Sequence, residues 1–344
     1  MKKYFYNFKL DFFFLSGITI LIWCIVFTFT QGNRSDLIYQ IAALTSWVVN
    51  WPHFAATSYR LYYRKDFYSQ FPVTSFLIPI LVLVATVFSL LQPESFAVIW
   101  IKLYLIWSPY HFCGQTLGLS LLYARRGEMV ITPVQRFFLA SFVYGSFITM
   151  TAISEIGEGF NSYYGVNYPR FNLNHQFVNL LMTWQYLNTA GFLISFYPHF
   201  KKWRSFPPLV LLLPLTHAFW FILGPHWPGF NEFVPALHSL QYLFIAWILQ
   251  LSERHHISET KGFRFNFSSE SLKWYGLNIL LGAILFQVLP LWGERAGLPT
   301  NFAFGVIIAS VQIHHFFVDG VIWKLKDNKI LSPLMVNVEQ WKHS

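Results

Sequence analysis

The sequence contains ten stretches of mostly apolar residues, each near the length of about 20 residues that a helix needs to cross a bilayer. They lie at 11–30, 36–58, 72–91, 95–123, 135–155, 175–198, 206–224, 231–251, 272–292 and 300–324. An open sheet would leave backbone polar groups unpaired in lipid, and runs such as Leu209–Leu213 lack the alternation of barrel strands. The sequence therefore predicts an all-α, polytopic bundle of about ten spans, with 1–344 forming a single integral membrane domain.

The composition of the chain supports this prediction. Only 11% of the 344 residues are charged and 55% are hydrophobic, whereas soluble domains carry about 25% charged residues. A water-soluble enzyme and a disordered chain are therefore excluded. The two cysteines, Cys24 and Cys113, both lie in apolar runs, so a disulfide scaffold is excluded as well.

The net charge of +9 indicates topology rather than a polyanion-binding site. Of the 24 lysines and arginines, 20 lie at the span ends on one side of the membrane. Both termini lie on that same side. Arg34, Arg170 and Arg295 fall at the other ends, and Lys102 lies inside a span. Because cytoplasmic loops retain positive charge, we expect both termini to be cytoplasmic. We expect the membrane to be a bacterial plasma membrane. No basic run is dense enough for a nucleic-acid partner.

Six of the 12 histidines lie within predicted spans, where an ionisable side chain is costly and marks a functional site. Four of these positions fall on spans that run in the same direction: His53, His111, His238 and the adjacent pair His314 and His315. All four lie about 10–20 Å from the inner ends of their helices at 1.5 Å per residue, with the span of His53 continued beyond its assigned end to Tyr62 and Arg60 snorkelling. Imidazoles at one depth on four helices can meet at one point, as they do in metal-binding bundles. The sequence therefore predicts a metal site.

The alternative for each single histidine is an interhelical hydrogen bond, which is the interpretation that we favour for His217, on a span of opposite direction. The coincident depths of the other four positions favour a shared site. Side chains of neighbouring helix residues such as His314 and His315 diverge by about 100°, so at most one of the two points squarely into the site.

Polar residues follow several of the site histidines by four positions and so share their helix faces, such as Gln115 after His111. Asp319 follows His315, and we expect it to accept the second ring N–H of a metal-bound histidine. The alternative is an ion pair of Asp319 with Lys324 or with an arginine near the inner interface. Tyr242 follows His238 in the same way. Asp319 and Tyr242 are therefore the candidate catalytic residues.

Nitrogen ligands suit iron, copper or zinc, and a lipid-embedded substrate favours redox-active, non-haem iron with O2 as co-substrate. No HExxH or HxxxH pattern and no GxGxxG loop is present, so zincin, common desaturase and nucleotide-binding sites have no support. The predicted function is an oxygenase for a lipophilic substrate in contact with membrane lipids. Two alternatives remain, a haem-binding electron carrier and a proton-coupled transporter that uses the histidines and Asp319.

Four segments carry these histidines: NWPHFAATS at 50–58, SPYHFCG at 108–114, ALHSLQYL at 236–243 and VQIHHFFVDGVIWK at 311–324. In order and relative spacing they resemble the histidine-bearing segments of the Brp/Blh-type membrane β-carotene 15,15′-dioxygenase family. The resemblance implies iron ligands at His53, His111, His238 and either His314 or His315, and O2-dependent cleavage of a carotenoid. The chain departs from the family pattern at Thr57, where the family has Asp, and at Tyr242, where it has His. Another isoprenoid or an acyl lipid is therefore an alternative substrate.

Overall fold

The computed structural model describes residues 3–32, 35–63, 65–200, 206–262, 264–323 and 328–342. Within these ranges the chain is helical apart from one hairpin and short connections. The helices are α1 (Phe8–Gln31), α2 (35–63), α3 (Lys65–Gln70), α4 (Val73–Leu91), α5 (Phe96–Arg126), α6 (Pro133–Ser154), α7 (His175–Phe200), α8 (Leu209–His226), α9 (Phe230–Lys261), α10 (Phe267–Arg295), α11 (Thr300–Ile322) and α12 (Asn328–Leu331). The strands β1 (Phe160–Tyr163) and β2 (Val166–Pro169) pair antiparallel, and the turns Ser332–Met335 and Val338–Trp341 follow α12.

Seven of the described helices are long and apolar enough to cross a membrane: α1, α4, α6, α8, α9, α10 and α11. The remaining three predicted spans also form helices of sufficient length, within α2, α5 and α7, but these are less apolar. The prediction of an all-α protein with membrane-spanning helices is confirmed, with the small hairpin as an addition. Helix α9 continues to Lys261, ten residues beyond the end of the predicted span 231–251.

Part of the predicted orientation rests on basic residues outside the described ranges. These residues are Lys2, Arg34, Arg64, Lys201, Lys202, Arg204, Lys324 and Lys326. The alternative ion pair between Asp319 and Lys324 lies outside the described residues for the same reason.

Prolines determine where the described helices widen. Four of the five π-helical segments end two residues before a proline. The four are Ser46–Asn50, Val73–Leu77, Phe219–Leu223 and Ile284–Val288, ahead of Pro52, Pro79, Pro225 and Pro290. Proline lacks an N–H and its ring clashes with the carbonyl four residues earlier, and a wider turn relieves both problems. Tyrosine hydroxyls bind two of the carbonyls that lose their helical partner: Tyr275 donates to Val48, and Tyr62 donates to Ser75 at 2.9 Å.

Burial separates a central pair of helices from peripheral ones. The apolar window of α9 is 78% buried and that of α11 is 67% buried, whereas the windows of α4 and α10 are 22% buried. The peripheral helices expose large apolar side chains, such as Leu83 on α4 and Leu280 on α10. Such surfaces suit contact with lipid. The centre of the bundle therefore lies around α9 and α11, against which α2 packs.

Both described ends of the chain pack at the end of the bundle where α5 terminates. Asp11 accepts hydrogen bonds from the backbone N–H of Phe5 at 2.8 Å and from the hydroxyl of Tyr123 at 2.7 Å. The backbone N–H of Val338 donates to the carbonyl of Phe5 at 2.9 Å. These contacts join the N-terminal segment to the turns that follow α12.

The hairpin covers the opposite end of α5. Tyr164 and Gly165 take positive φ angles of 47° and 82°, which a two-residue hairpin turn requires. Lys102 of α5, expected inside a span, forms an ion pair with Glu155 at 2.9 Å and lies 3.5 Å from the ring centre of Phe171. Its charge is thus neutralised beside the hairpin rather than left in lipid.

Candidate metal centre

Four histidines from four different helices meet in the interior of the bundle. They are His53 on α2, His111 on α5, His238 on α9 and His315 on α11. The ring of His53 lies 4.3 Å from that of His315 and 5.2 Å from that of His238, measured between centroids. His111 lies 4.9 Å from His315 and 5.2 Å from His238. The structure thus brings all four helix positions named from the sequence to one place.

The protonation of His53 follows from its neighbours. The hydroxyl of Ser239 donates to Oδ1 of Asn50 at 2.7 Å, which uses its only proton. Ser239 lies 3.0 Å from Nδ1 of His53 and must accept the Nδ1–H there. Nε2 of neutral His53 then carries a lone pair. That atom is buried and has no hydrogen-bond partner among the described residues.

His315 is held in the same way by Thr57 on α2. The Thr57 hydroxyl lies 2.9 Å from Nδ1 of His315, 2.6 Å from the Tyr242 hydroxyl and 3.3 Å from Oδ1 of Asp319. The Tyr242 hydroxyl lies 3.2 Å from the same Oδ1. The Thr57 and Tyr242 hydroxyls can direct their two protons to each other and to Oδ1 of Asp319, which leaves Thr57 a lone pair to accept the Nδ1–H of His315. Its Nε2 lone pair then points away from Thr57.

Three possible ligand atoms form a compact triangle on the side of His111. Nε2 of His111 lies 3.2 Å from Nε2 of His315, and each lies 3.5 Å from Oδ2 of Asp319. Two ligands that bind one metal at about 2.1 Å are separated by about 3.0 to 4.2 Å, depending on the coordination angle. The triangle therefore has the dimensions of a metal site. A second group, His53, His238 and His315, shares His315 with it, and the ligand atoms of each group lie within 4.8 Å of one another.

The contacts of Asp319 with the histidines involve their Nε2 atoms. Thr57 occupies the Nδ1 side of His315, so the role of Asp319 as acceptor of the second ring N–H of a bound histidine stays a prediction. Asp319 faces Nε2 of both His111 and His315, because residues four apart lie on the same side of α11. Its position is that of a possible ligand.

His238 has the least satisfied side chain of the four. Both of its ring nitrogens are buried and lack a hydrogen-bond partner within the described part of the chain. Its ring stacks on Phe112, with centroids 4.0 Å apart. A buried polar atom left unpaired costs about 1–3 kcal/mol, and a cation bound at one nitrogen would remove that cost there.

Two further histidines named from the sequence lie outside both groups. His314 is half-buried, and its Nε2 has no partner among the described residues, but the turn of α11 directs it away from the ligand atoms. His217 on α8 contacts α5 through Sγ of Cys113 at 3.3 Å and Oγ1 of Thr116 at 3.2 Å. These are the interhelical hydrogen bonds favoured for His217 from the sequence.

A cavity of about 460 Å³ adjoins the centre on one side. His111, Tyr242 and Asp319 reach its wall, whereas His53, His238 and His315 are each about 1% exposed and lie behind them. Volumes of about 300–1,000 Å³ are usual for small-molecule sites. The arrangement thus combines ligand atoms for a cation, a hydroxyl and a carboxylate at the cavity wall, and space for an organic molecule.

We found no match to this chain among protein-family models, curated proteins or solved structures. Functional conclusions therefore rest on the geometry of the centre and of the cavity.

Proposed function

We propose that this protein is a membrane-embedded, non-haem iron oxygenase that acts with O2 on a lipophilic substrate. The observation that carries the proposal is the convergence of four imidazoles, two of which contact a serine or threonine hydroxyl through Nδ1 and so have Nε2 available as a ligand atom. Oxygen ligands are few there, since Asp319 is the one carboxylate in the two ligand groups among the described residues. This donor set suits iron, copper or zinc.

The iron would be held within the two groups that share His315, namely His53, His238 and His315 on one side and His111, His315 and Asp319 on the other. When bound, the metal would supply the binding and activation of O2. The Thr57 and Ser239 hydroxyls orient two of the ligands and fix their tautomers.

Tyr242 would act where the centre meets the cavity. Its hydroxyl is hydrogen-bonded to Thr57 and to Oδ1 of Asp319, and both Tyr242 and Asp319 line the cavity. This pair can hold a proton at Oδ1 of Asp319 or at the phenol oxygen beside a bound substrate. The mostly apolar wall keeps water away from the reacting atoms.

The packing of the rings supports non-haem iron over a haem carrier. The four imidazoles lie edge to face with centroids 4.3–5.2 Å apart, which leaves no gap for a flat macrocycle between any adjacent two. A haem carrier would show a Soret band when purified, and we expect none.

The substrate class follows from the lipid-facing composition and from the resemblance of the four histidine segments to β-carotene dioxygenases. The mostly apolar lining of the cavity suits a carotenoid, another isoprenoid or an acyl lipid. We place the protein in a bacterial plasma membrane with about ten spans and both termini cytoplasmic. A C-terminal fluorescent-protein fusion that fluoresces in cells would support this orientation.

Metal analysis of the purified protein tests the proposal, with His111→Ala as the site variant and His226→Ala as the matched control. His226 is exposed, near the end of α8, and belongs to neither ligand group. We expect about one iron per chain in the wild type and the control, and a loss of at least tenfold in His111→Ala. Wild-type protein without metal would overturn the proposal and favour the proton-coupled transporter. Equal metal in all three proteins would place the metal elsewhere.

A further inference from the structure

The cavity extends unequally to the two sides of the metal centre. Along α5 its wall runs from Trp107 to Leu122, a distance of about 22 Å at 1.5 Å per residue. His111 stands about 6 Å from the Trp107 end and about 16 Å from the Leu122 end on the same measure. Most of the space therefore lies on the Leu122 side.

The part of the cavity beyond Gln115 is here called the distal arm. Its wall contains Gly118, Leu119, Leu122, Ile245, Trp323 and Leu334. None of these described wall residues carries a charge. A Cβ atom built on Gly118 would meet nothing within 4 Å, so the arm is open at this point of α5. The arm is thus an apolar slot that begins at the metal centre.

At the far end of the distal arm, Leu334 of the turn Ser332–Met335 forms part of the wall. Leu334 of this turn is fully buried and belongs to the same apolar cluster as Leu122. The guanidinium of Arg126 donates to the carbonyl of Leu334, to that of Tyr4 at 2.5 Å and to that of Val336 at 3.1 Å. Arg126 therefore fastens the segment that carries Leu334 to the end of α5 and holds this part of the wall in place.

We infer that the distal arm receives one end of a linear, uncharged hydrocarbon chain and measures the distance from that end to the reacting position. The inference rests on the proposed function. No charged residue among the described wall residues of the arm can fix which carbon of the hydrocarbon reaches the metal centre. Only the depth to which the hydrocarbon enters the arm can do so. The reacting position would then lie about 16 Å from the inserted chain end, since Leu122 at the end of the arm is 11 helical residues from His111.

Photo-crosslinking with two linear fatty alcohols tests the inference in purified full-length protein. One probe carries a diazirine at the terminal carbon, and the other carries it beside the hydroxyl. We expect the terminal diazirine to label Leu122, Ile245 or Leu334 and the other to label positions nearer Trp107. Identical labelling by the two probes, or labelling confined to the lipid-facing sides of α4 and α10, would overturn the inference.

A matched pair of glycine variants sharpens the test. Gly118→Leu places a side chain in the arm, and Gly276→Leu makes the same substitution at a position on α10 that is also open and does not line the cavity. We expect labelling at Leu122 and Leu334 to fall at least tenfold in Gly118→Leu and to stay unchanged in Gly276→Leu. Wild-type labelling in Gly118→Leu would contradict the inference.

The labelling requires no metal, so its outcome is separate from that of the proposed function. Labelling in the arm of a protein that binds no metal would support the inference about the arm and contradict the proposed oxygenase. Normal metal content with no labelling in the arm would support the proposed metal centre and contradict the inference about the arm. The difference between the two probes in wild-type protein decides the matter even if Gly118→Leu fails to fold.

Discussion

The hydroxyl of Ser239 lies 3.0 Å from Nδ1 of His53 and gives its own proton to Asn50. One serine on α9 thereby fixes the tautomer of a histidine on α2 and leaves Nε2 of that histidine free to bind a cation. The orientation of the candidate ligand depends on a contact between two helices rather than on the histidine alone.

Ser239→Ala removes this orienting contact, and we expect metal affinity to fall about 10- to 100-fold, as for other outer partners of ligating histidines. Competition with a chelator of known affinity measures the change. Ser146→Ala is the control, since Ser146 is also fully buried but bonds within its own helix, to the carbonyl of Val143. Equal losses in the two variants would show that the effect of Ser239 is merely one of stability.

Thr57 holds His315, and two substitutions separate its hydroxyl from its shape. Thr57→Val keeps the volume and removes the hydroxyl, so we expect a loss in metal affinity of about 10- to 100-fold. Thr57→Ser keeps the hydroxyl and should retain most of the affinity. The same chelator titration applies. If Ser and Val variants bind metal equally well, the hydrogen bond to His315 has no role in binding.

Gly282 lets α10 approach the backbone of α2 next to His53. A Cβ atom at Gly282 would lie 2.7 Å from the backbone carbon of Trp51 and 3.0 Å from the backbone nitrogen of Pro52. Because backbone cannot move aside cheaply, we expect Gly282→Ala to destabilise the protein by about 1–3 kcal/mol and to lower its metal content. Thermal unfolding in detergent and metal analysis measure the two effects.

Gly276→Ala on the same helix is the control for Gly282, since a Cβ there meets nothing within 4 Å. Alanine has the higher helix propensity, so this variant should gain up to about 1 kcal/mol. A Gly282 variant that is as stable as the Gly276 variant would mean that α10 lies farther from α2 than described here.

The Tyr275 hydroxyl binds the Val48 carbonyl that Pro52 leaves without a helical partner. Tyr275→Phe should therefore destabilise the protein by about 1 kcal/mol. In a Pro52→Ala background the carbonyl regains an N–H partner, and the same substitution should cost less. A double-mutant cycle measures this coupling. Strict additivity of the two substitutions would contradict the compensation.

The sequence is sufficient to predict the helices and the four histidine positions. Apolar length identifies each helical stretch, because lipid allows no unpaired backbone. A shared depth identifies His53, His111, His238 and the His314–His315 pair, because depth follows from residue counting along a helix.

The remaining features depend on helix rotation, which residue counting does not provide. Neighbouring side chains on a helix diverge by about 100°, so the rotation of α11 about its axis decides whether His314 or His315 faces the centre. Asp319 lies on the same face of α11 as His315 and therefore also faces the ligand atoms. Thr57 and Ser239 were not predicted as partners. Thr57 follows His53 by four residues, which is the spacing that identified Asp319 and Tyr242, so that signal was available. The hairpin turn at Tyr164 and Gly165 lies in a segment that was predicted only as a loop.

X-ray absorption spectroscopy at the metal edge of the purified protein tests the metal centre most directly. The account predicts iron with at least three imidazole nitrogens at about 2.1 Å, with the outer-ring scattering that imidazole gives, and a loss of that scattering in His315→Ala. Histidine 315 belongs to both ligand groups, so its removal should affect the site more than any other single change. A spectrum with oxygen ligands alone, or one unchanged in His315→Ala, would contradict the account.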